Sequence, residues 1–144
     1  MPAVAAKLKM LLPYALLILA GGLTTLAFAP YTLWWLPLLT QALLVFYVQR
    51  ATSVKQACLY GFSYGLGWFG VGISWVHVSI DQFGGLPLAG SLGLMALLVG
   101  YLALFPLLAS GLSYQLRLHR LMPLLFAASW TLAEWLRSVM LTGF

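Results

Sequence analysis

Glu134 and Arg137 carry opposite charges within an otherwise apolar stretch, three residues apart. On a helix the two side chains share one face and can form an ion pair. In a bilayer an unpaired charge costs at least roughly 2.5–3.5 kcal/mol on insertion scales, so such residues are rare. One interpretation is a local pair whose guanidinium reaches the headgroup zone. The other is that Arg137, near Trp130, binds an anionic group such as a phospholipid headgroup.

A second pair that could do chemistry is His77 and Asp81, four residues apart and shortly after Trp75. On a continuous helix they would share a face, where they could support acid–base chemistry or supply two metal ligands. No third ligand is visible, because His119 lies in a gap expected on the opposite side of the membrane. The sequence favours an interfacial cap and turn, and it predicts neither a metal nor a cofactor. The candidate lipid-headgroup or functional membrane residues are therefore Glu134, Arg137, Trp130, Trp75 and His77.

A dense run of glycines precedes this pair, and Gly65, Gly67 and Gly70 match the dinucleotide-binding pattern GxGxxG. That pattern requires a preceding strand and an acidic residue about 20 positions later, and this apolar run offers neither. At about 100° per residue, Gly61, Gly65 and Gly72 share one helix face, with Gly67 and Gly70 nearly opposite. Small residues let membrane helices approach closely, so we predict that this helix lies between two neighbours. A lipid-chain groove beside the glycine face is the alternative.

The single cysteine, Cys58, excludes an internal disulfide and a cysteine-based metal site. Only Lys55 stands near it in the sequence, and no pattern of histidine or acid would activate the thiol. We interpret it as an inert helix residue. The sequence therefore predicts no catalytic residue, since it also lacks a nucleophile elbow and a phosphate-binding loop.

The composition indicates which elements must position these residues. Hydrophobic residues make up 63% of the 144 and charged residues 6%, whereas soluble domains carry about a quarter charged residues. A membrane-crossing helix needs about 20 apolar residues, so the chain has room for five or six crossings. The sequence predicts an all-α integral membrane protein, a single polytopic domain over 1–144. Its five expected helices cover approximately 11–28, 33–48, 57–78, 87–114 and 121–141.

The basic residues set the expected orientation. The net charge is +5, but the basic side chains are scattered between apolar runs, so no nucleic-acid surface is expected. Six of the seven fall in alternate gaps, which the positive-inside rule assigns to the cytoplasm: Lys7, Lys9, Arg50, Lys55, Arg117 and Arg120. The N-terminus is therefore predicted to be cytoplasmic and the C-terminus periplasmic. Arg137 is the exception to this pattern.

The N-terminal segment also resembles a secretory signal, with Lys7 and Lys9 before an apolar stretch and a possible cleavage site at 27–29. The apolar stretch is longer than that of a signal peptide. Pro30 would follow the cut, where cleavage is disfavoured. We therefore expect an uncleaved first helix.

Three stretches in order resemble the bacterial apolipoprotein N-acyltransferases. They are Gly-Leu-Thr-Thr-Leu-Ala-Phe-Ala-Pro-Tyr at 22–31 leading into Trp34-Trp35, the glycine-rich run 61–85, and Trp-Thr-Leu-Ala-Glu-Trp-Leu-Arg at 130–137 followed by 141–144. Their order and spacing are similar to the N-terminal membrane part of that family. At His77 the family often has tyrosine, which weakens a catalytic role for this imidazole.

The resemblance implies a multi-pass enzyme of the bacterial inner membrane. Such an enzyme moves an acyl chain from a phospholipid, through a cysteine thioester, to the α-amino group of a lipoprotein's diacylglyceryl-cysteine. The family has eight transmembrane helices and a nitrilase-like domain with a Glu-Lys-Cys triad. That domain is absent from these 144 residues, so we expect them to be inactive alone. The implied partners are membrane phospholipids and, for the full-length family, the lipoprotein.

Two alternatives from other functional classes remain at this stage. One is a non-enzymatic membrane scaffold or lipid-binding module. The other is a small transporter or channel component with Glu134 and Arg137 on its pathway. The sequence does not decide whether the chain associates with itself.

Overall fold

A computed structural model describes residues 2–85, 87–117 and 121–140, and these ranges are helical with no strand. The first and second helices are α1 (Pro2–Thr24) and α2 (Leu36–Arg50), with a 3₁₀ turn at Thr25–Ala27 between them. The next four are α3 (Val54–Gly72), α4 (Val76–Gly84), α5 (Leu88–Gln115) and α6 (Met122–Val139). The expected helices at 33–48, 87–114 and 121–141 correspond to α2, α5 and α6 with shifts of one to three residues at their described ends. The expected first helix, 11–28, begins earlier and ends at Thr24, and residue 141 lies outside the described ranges.

The expected third helix, 57–78, is divided into two. α3 ends at Gly72, where Ile73 caps it by donating its backbone N–H to the Phe69 carbonyl (3.0 Å). Glycine and β-branched residues are poor helix formers, so the Gly-Ile step is a weak point in the apolar run. α4 then begins at Val76 and ends before Gly85, whose φ of 64° suits glycine. The turn expected at His77 and Asp81 is therefore wrong, since both residues lie within a separate helix, α4.

α3 lies at the centre of the bundle, packed along α5 on one side and α1 on the other. A Cβ atom added at Gly61 or Gly65 would overlap the backbone of α5 at Pro106 or Ala103. One added at Gly67 would overlap the α1 backbone at Ile18, and one at Gly21 would overlap α3 at Tyr64. The helices approach to backbone contact because these positions lack side chains.

Gly70 and Gly72 are less tightly packed, and Gly72 lies on a face other than the one expected from helical periodicity. An added Cβ at Gly70 would first meet Val99 of α5 at 4.0 Å, and one at Gly72 would meet Thr25 at 3.6 Å. Gly72 therefore faces the chain that follows α1, whereas Gly70 shares with Gly67 a groove between α1 and α3. Near the end of α3 the neighbouring backbone is the turn after α1 rather than a straight helix, so the ideal 100° projection no longer predicts which neighbour is met.

A buried trio of hydroxyls joins α1, α2 and α3 on the side away from α5. The Thr24 hydroxyl lies 2.8 Å from that of Thr40 and 2.8 Å from that of Tyr64, and Thr40 and Tyr64 are 3.1 Å apart. Tyr64 is fully buried. Buried polar groups need partners, and these three satisfy one another. The trio thus links the C-terminal end of α1 to the middle of α3 and to the first half of α2.

The surface of the bundle is apolar. Large side chains such as Leu19, Leu97 and Leu124 are 63%, 72% and 66% exposed. Two stretches within the described ranges are long and apolar enough to cross a membrane by length and composition, Met10–Ala27 and Leu88–Gln115. An extensive apolar surface is typical of a protein whose solvent is lipid. The fold is consistent with an all-α membrane protein.

The close approach of α1 and α3 predicts different effects for two Gly→Ala substitutions. Gly67→Ala should lower the free energy of unfolding by about 1–3 kcal/mol, because the new methyl overlaps the α1 backbone. Gly100→Ala in α5 is the matched control, since nothing lies within 4 Å of its added Cβ and alanine favours a helix. Thermal unfolding of the two variants in detergent micelles checks this. Equal losses of stability would contradict the packing.

Candidate functional site

Glu134 and Arg137 form an ion pair on α6. The Arg137 guanidinium donates from Nη2 (2.6 Å) and Nε (3.2 Å) to Glu134 Oε2. The Arg137 and Glu134 side chains are 26% and 29% exposed. The pairing removes much of the cost of placing either charge in an apolar medium. It also fixes the direction of the guanidinium.

The guanidinium of Arg137 extends toward the C-terminal end of α3. Its Cζ atom lies 5.8 Å from the centroid of the Phe69 ring. A cation at this distance from an aromatic face is attracted by the ring quadrupole, so Phe69 adds a second contact. Arg137 therefore bridges α6 and α3 at one end of the bundle.

At the same end lies a cavity of about 710 Å³, which we name the Arg137 cavity. It forms where α1 and α3 stop and the chain after α1 folds over them. Its lining residues are Thr25, Leu26, Phe28, Ala29, Tyr31, Trp68, Phe69, Val71, Gly72, Ile73 and Arg137. Among the described lining residues, Arg137 is the one that carries a formal charge. Its partner Glu134 is not among the described lining residues.

A stack of aromatic rings supports the inner wall of the cavity. Trp68 lies parallel to Phe69, with centroids 4.9 Å apart, and to Trp130 of α6, with centroids 5.8 Å apart. Trp130 in turn stacks on Phe126 at 5.7 Å. Trp130 therefore lies behind the wall, and Trp68 and Phe69 are the rings of the stack that line the cavity. Fixing Trp68 against α6 keeps α3 and α6 at a constant spacing beside Arg137.

The other two candidate residues, Trp75 and His77, stand apart from this cavity. His77 Nδ1 is hydrogen-bonded to the backbone oxygen of Ser74, and Trp75 is 63% exposed. Neither is among the described residues lining the cavity. In the described ranges, no group of three or more His, Cys, Asp or Glu residues could hold a metal ion. His119 lies outside the described residues.

Several cavity residues were not found by sequence reasoning. Phe28 and Tyr31 flank the cis Ala29–Pro30 bond, and the turn brings both rings to the cavity together with Thr25. Pro30 between two aromatic residues marks a turn in the sequence, but nothing there says which helix the turn faces. Two more cavity residues, Trp68 and Phe69, lie in the Gly-Trp-Phe-Gly run at 67–70, which the sequence analysis singled out only for its glycines.

An apolar groove of about 480 Å³ runs between α1 and α3 and shares Val71 with the cavity. We name it the α1–α3 groove. Its residues are Ile18, Leu19, Gly22, Leu23, Leu66, Gly67, Gly70 and Val71. Cys58 is not part of either feature, because it packs between α3 and α5, where an added Cβ at Gly111 would lie 2.6 Å from its Sγ.

The sequence of this chain matches a family model and several known proteins. Residues 20–144 match the family model described as the apolipoprotein N-acyltransferase N-terminal domain. The chain belongs to the apolipoprotein N-acyltransferase family. The sequence resemblance is therefore confirmed, and the turn after α1, the glycine-rich α3 and the charged α6 all lie within the matched residues.

Individual relatives cover the same region. The chain is 48% identical over 128 residues to an apolipoprotein N-acyltransferase from Vibrio vulnificus, covering 86% of this chain and 25% of that protein. The corresponding protein of Ralstonia nicotianae is 38% identical over 144 residues, covering 96% of this chain and 27% of that protein. The chain spans about a quarter of the length of the curated relatives it matches. Neither the scaffold nor the transporter alternative gains support from these matches.

The geometry of the ion pair predicts a non-additive effect of its two substitutions. Glu134→Gln and Arg137→Gln should each lower the midpoint of thermal unfolding, because each leaves one charge without its partner in an apolar setting. The double variant should lose less free energy of unfolding than the sum of the two single losses, and the difference should be roughly 1–2 kcal/mol. A double-mutant cycle in detergent micelles measures this. Additive losses would show that the pair contributes nothing to the folded state.

Proposed function

We propose that this chain is the N-terminal membrane segment of a bacterial inner-membrane apolipoprotein N-acyltransferase, and that it anchors the enzyme and binds its phospholipid. The observation that carries the proposal is the family match over residues 20–144. In this proposal residues 1–144 form a single polytopic domain. Its direct partner is membrane phospholipid, and the lipoprotein is a partner of the whole enzyme.

Of the six α-helices in the described residues, five are assigned as membrane crossings, namely α1, α2, α3, α5 and α6. α4 has nine residues, about 13 Å of helix and less than half of a hydrocarbon core of about 30 Å, whereas α2, the shortest of the other five, has 15 residues or about 22 Å. Trp75, which precedes α4, and Phe83 within it are exposed aromatic residues that suit the headgroup zone. α4 therefore lies along the outer surface, and five crossings remain.

The charges support a cytoplasmic N-terminus. Arg50 ends α2, Lys55 begins α3 and Arg117 follows α5, so the three lie at one end of the bundle. The positive-inside rule places that end in the cytoplasm. The Arg137 cavity lies at the opposite end, which is then periplasmic. A phosphate in the outer headgroup layer would be at the level of the guanidinium.

The acyl transfer itself is assigned to other parts of the enzyme. In the family's reaction a cysteine thiolate attacks the phospholipid ester, releases a lysophospholipid and forms a thioester, which the lipoprotein's α-amino group then attacks. Such nucleophilic catalysis needs an activated thiol. Cys58 is unsuited, since it packs against Gly111 inside the bundle toward the Lys55 end, away from the Arg137 cavity. We therefore propose that residues 1–144 bind and position lipid without making or breaking the acyl bond.

The proposed topology predicts the behaviour of reporter fusions. Alkaline phosphatase needs disulfides and is active only in an oxidising compartment. Fusions after Ala29 or Gly85 should be active, and fusions after Thr52 or Arg117 should be inactive. Green fluorescent protein at the same positions is the complementary control. Activity of alkaline phosphatase after Thr52 or Arg117 would contradict five crossings with the N-terminus inside.

A chimera tests the function. The matching segment of the Vibrio vulnificus relative is replaced by this chain and expressed in cells depleted of their own N-acyltransferase. We expect the chimera to restore N-acylation, measured by mass spectrometry of lipoprotein N-terminal peptides. The 144 residues expressed alone should not restore it.

Two outcomes would overturn the proposal. One is a chimera that reaches the membrane at the level of the parent enzyme and leaves lipoproteins unacylated. The other is acylation by the 144 residues alone, because the transfer chemistry would then lie within them.

A further inference from the structure

Basic residues gather at the end of the bundle where α2 ends and α3 begins. Arg50 is the last residue of α2, Lys55 lies in the first turn of α3 and Arg117 follows α5. We name these three residues the basic end. The chain has two acidic residues, and both lie elsewhere. Asp81 is in α4, beyond the far end of α3, and Glu134 comes 12 residues after the start of α6, about 18 Å along that helix.

A buried cluster holds the helix ends together beneath the basic end. Its members come from the ends of α2 and α5 and from the starts of α3 and α6, and each is at most 7% exposed. They are Val48, Ala51, Ala57, Tyr114 and Met122. Arg50 directly precedes one member of this cluster, and Arg117 contacts another. The two guanidiniums therefore lie on the rim of one packed core.

Both guanidiniums lie flat on an aromatic ring three or four residues earlier in the chain. The Cζ atom of Arg50 is 3.6 Å from the centroid of the Phe46 ring, and that of Arg117 is 3.8 Å from the centroid of the Tyr114 ring. At these distances the guanidinium plane has to be roughly parallel to the ring, because an upright group would push a nitrogen into it. Attraction between cation and ring thus sets the direction of both groups.

Stacking occupies the face of a guanidinium and leaves the N–H groups on its edges to other partners. Arg117 donates from Nη1 to the Tyr114 carbonyl (3.2 Å), which leaves the edge formed by Nε and Nη2 for a ligand. Arg50 is exposed at the surface of the bundle. A guanidinium edge presents two parallel N–H donors, which match two oxygens of one phosphate.

The surroundings favour a phosphate whose molecule carries no compensating ammonium group. The phosphate of phosphatidylethanolamine or phosphatidylcholine is linked to an ammonium. At the basic end that ammonium would meet cations, because both carboxylates of the chain lie toward the other end. Phosphatidylglycerol has the phosphate without the ammonium. Basic side chains next to membrane helices attract such acidic lipids.

We propose that the basic end binds the phosphates of acidic phospholipids in the cytoplasmic leaflet, at the edges of the Arg50 and Arg117 guanidiniums, with Lys55 adding to the attraction. The inference rests on the proposed function, whose topology assigns this end to the cytoplasm. The site is separate from that proposed for the acyl donor, because it lies at the opposite end of the bundle from the Arg137 cavity. Lipids at this site are bound and not consumed.

The position of the lipid is tested by photocrosslinking. The purified chain is placed in phosphatidylcholine nanodiscs with a small fraction of phosphatidylglycerol that carries a diazirine at the carbonyl end of one acyl chain. Phosphatidylcholine with the same diazirine is the matched control, and labelled peptides are mapped by mass spectrometry. The phosphatidylglycerol probe should label 46–55 and 114–117 at least about five-fold more than the control probe. Equal labelling of these segments by the two probes would overturn the proposal.

A variant that keeps the charge tests whether the guanidinium edges bind the phosphate. Arg50→Lys with Arg117→Lys preserves the net charge and the positive-inside pattern but removes both planar sets of donors. It should lower labelling by the phosphatidylglycerol probe about ten-fold, the effect of losing one hydrogen bond to a charged group. Labelling like that of the parent would show that charge alone attracts the lipid, and it would overturn the proposal.

A second variant acts through the ring beneath Arg50. Phe46→Leu removes that ring and leaves every charge in place. It should lower the labelling of 46–55 and leave that of 114–117 unchanged. Phe83→Leu is the matched control, because Phe83 is an exposed aromatic residue at the other end of the bundle. If the two leucine variants label alike, the ring does not orient the guanidinium for a ligand and the proposal is wrong.

Competition tests the class of the ligand. Unlabelled phosphatidylglycerol should displace the probe from the basic end, whereas phosphatidylethanolamine and inorganic phosphate at the same concentration should not. Displacement by phosphatidylethanolamine would show that the net charge of the head group is not recognised. Displacement by inorganic phosphate would identify a site for soluble anions. Either result overturns the proposal.

The inference and the proposed function fail in different experiments. If the chimera acylates lipoproteins and the two probes label the basic end equally, the lipid site fails and the function stands. If the labelling is as expected and the chimera is inactive, the lipid site stands and the acyltransferase role fails. Activity of alkaline phosphatase fused after Thr52 would overturn the assignment of the site to the cytoplasmic leaflet.

Discussion

The approach of the α3 backbone to both α1 and α5 is the constraint on which the remaining structure depends. It is possible because Gly61, Gly65 and Gly67 carry no side chains where the helices touch. In a lipid environment the hydrophobic effect does not drive helices together, so backbone packing and interhelical hydrogen bonds must do so. The hydroxyl trio of Thr24, Thr40 and Tyr64 supplies those bonds on one side of α3. The cavity forms where α1 and α3 end.

The ion pair on α6 has a structural and a functional aspect that depend on each other. Glu134 compensates Arg137 well enough for the guanidinium to lie among apolar groups. The same contact aims the guanidinium at Phe69 and the cavity. The stack of Trp68, Trp130 and Phe126 holds α3 and α6 at the spacing this geometry needs. The sequence left open whether the two charges form a local pair or whether Arg137 binds an anionic group. The structure is compatible with both, because the paired guanidinium still lines the cavity.

The cavity and the ion pair lie within the residues that match the N-terminal domain of the apolipoprotein N-acyltransferase family. The matched region is about a quarter of the length of the relatives, so the chain corresponds to the part of the enzyme that precedes its remaining three quarters.

The sequence by itself determined the helical class and the family, because these follow from composition, the spacing of apolar runs and contiguous motifs. It also identified Glu134 with Arg137, since two charges three residues apart on a helix must meet. It did not predict the break at Ile73, where weak helix formers yield to a local turn. Nor did it show that Phe28, Tyr31 and Trp68 share a cavity with Arg137. The residues of that cavity extend from Thr25 to Arg137, about 110 positions apart in the sequence. Only the tertiary packing of α1, α3 and α6 decides which helix ends meet.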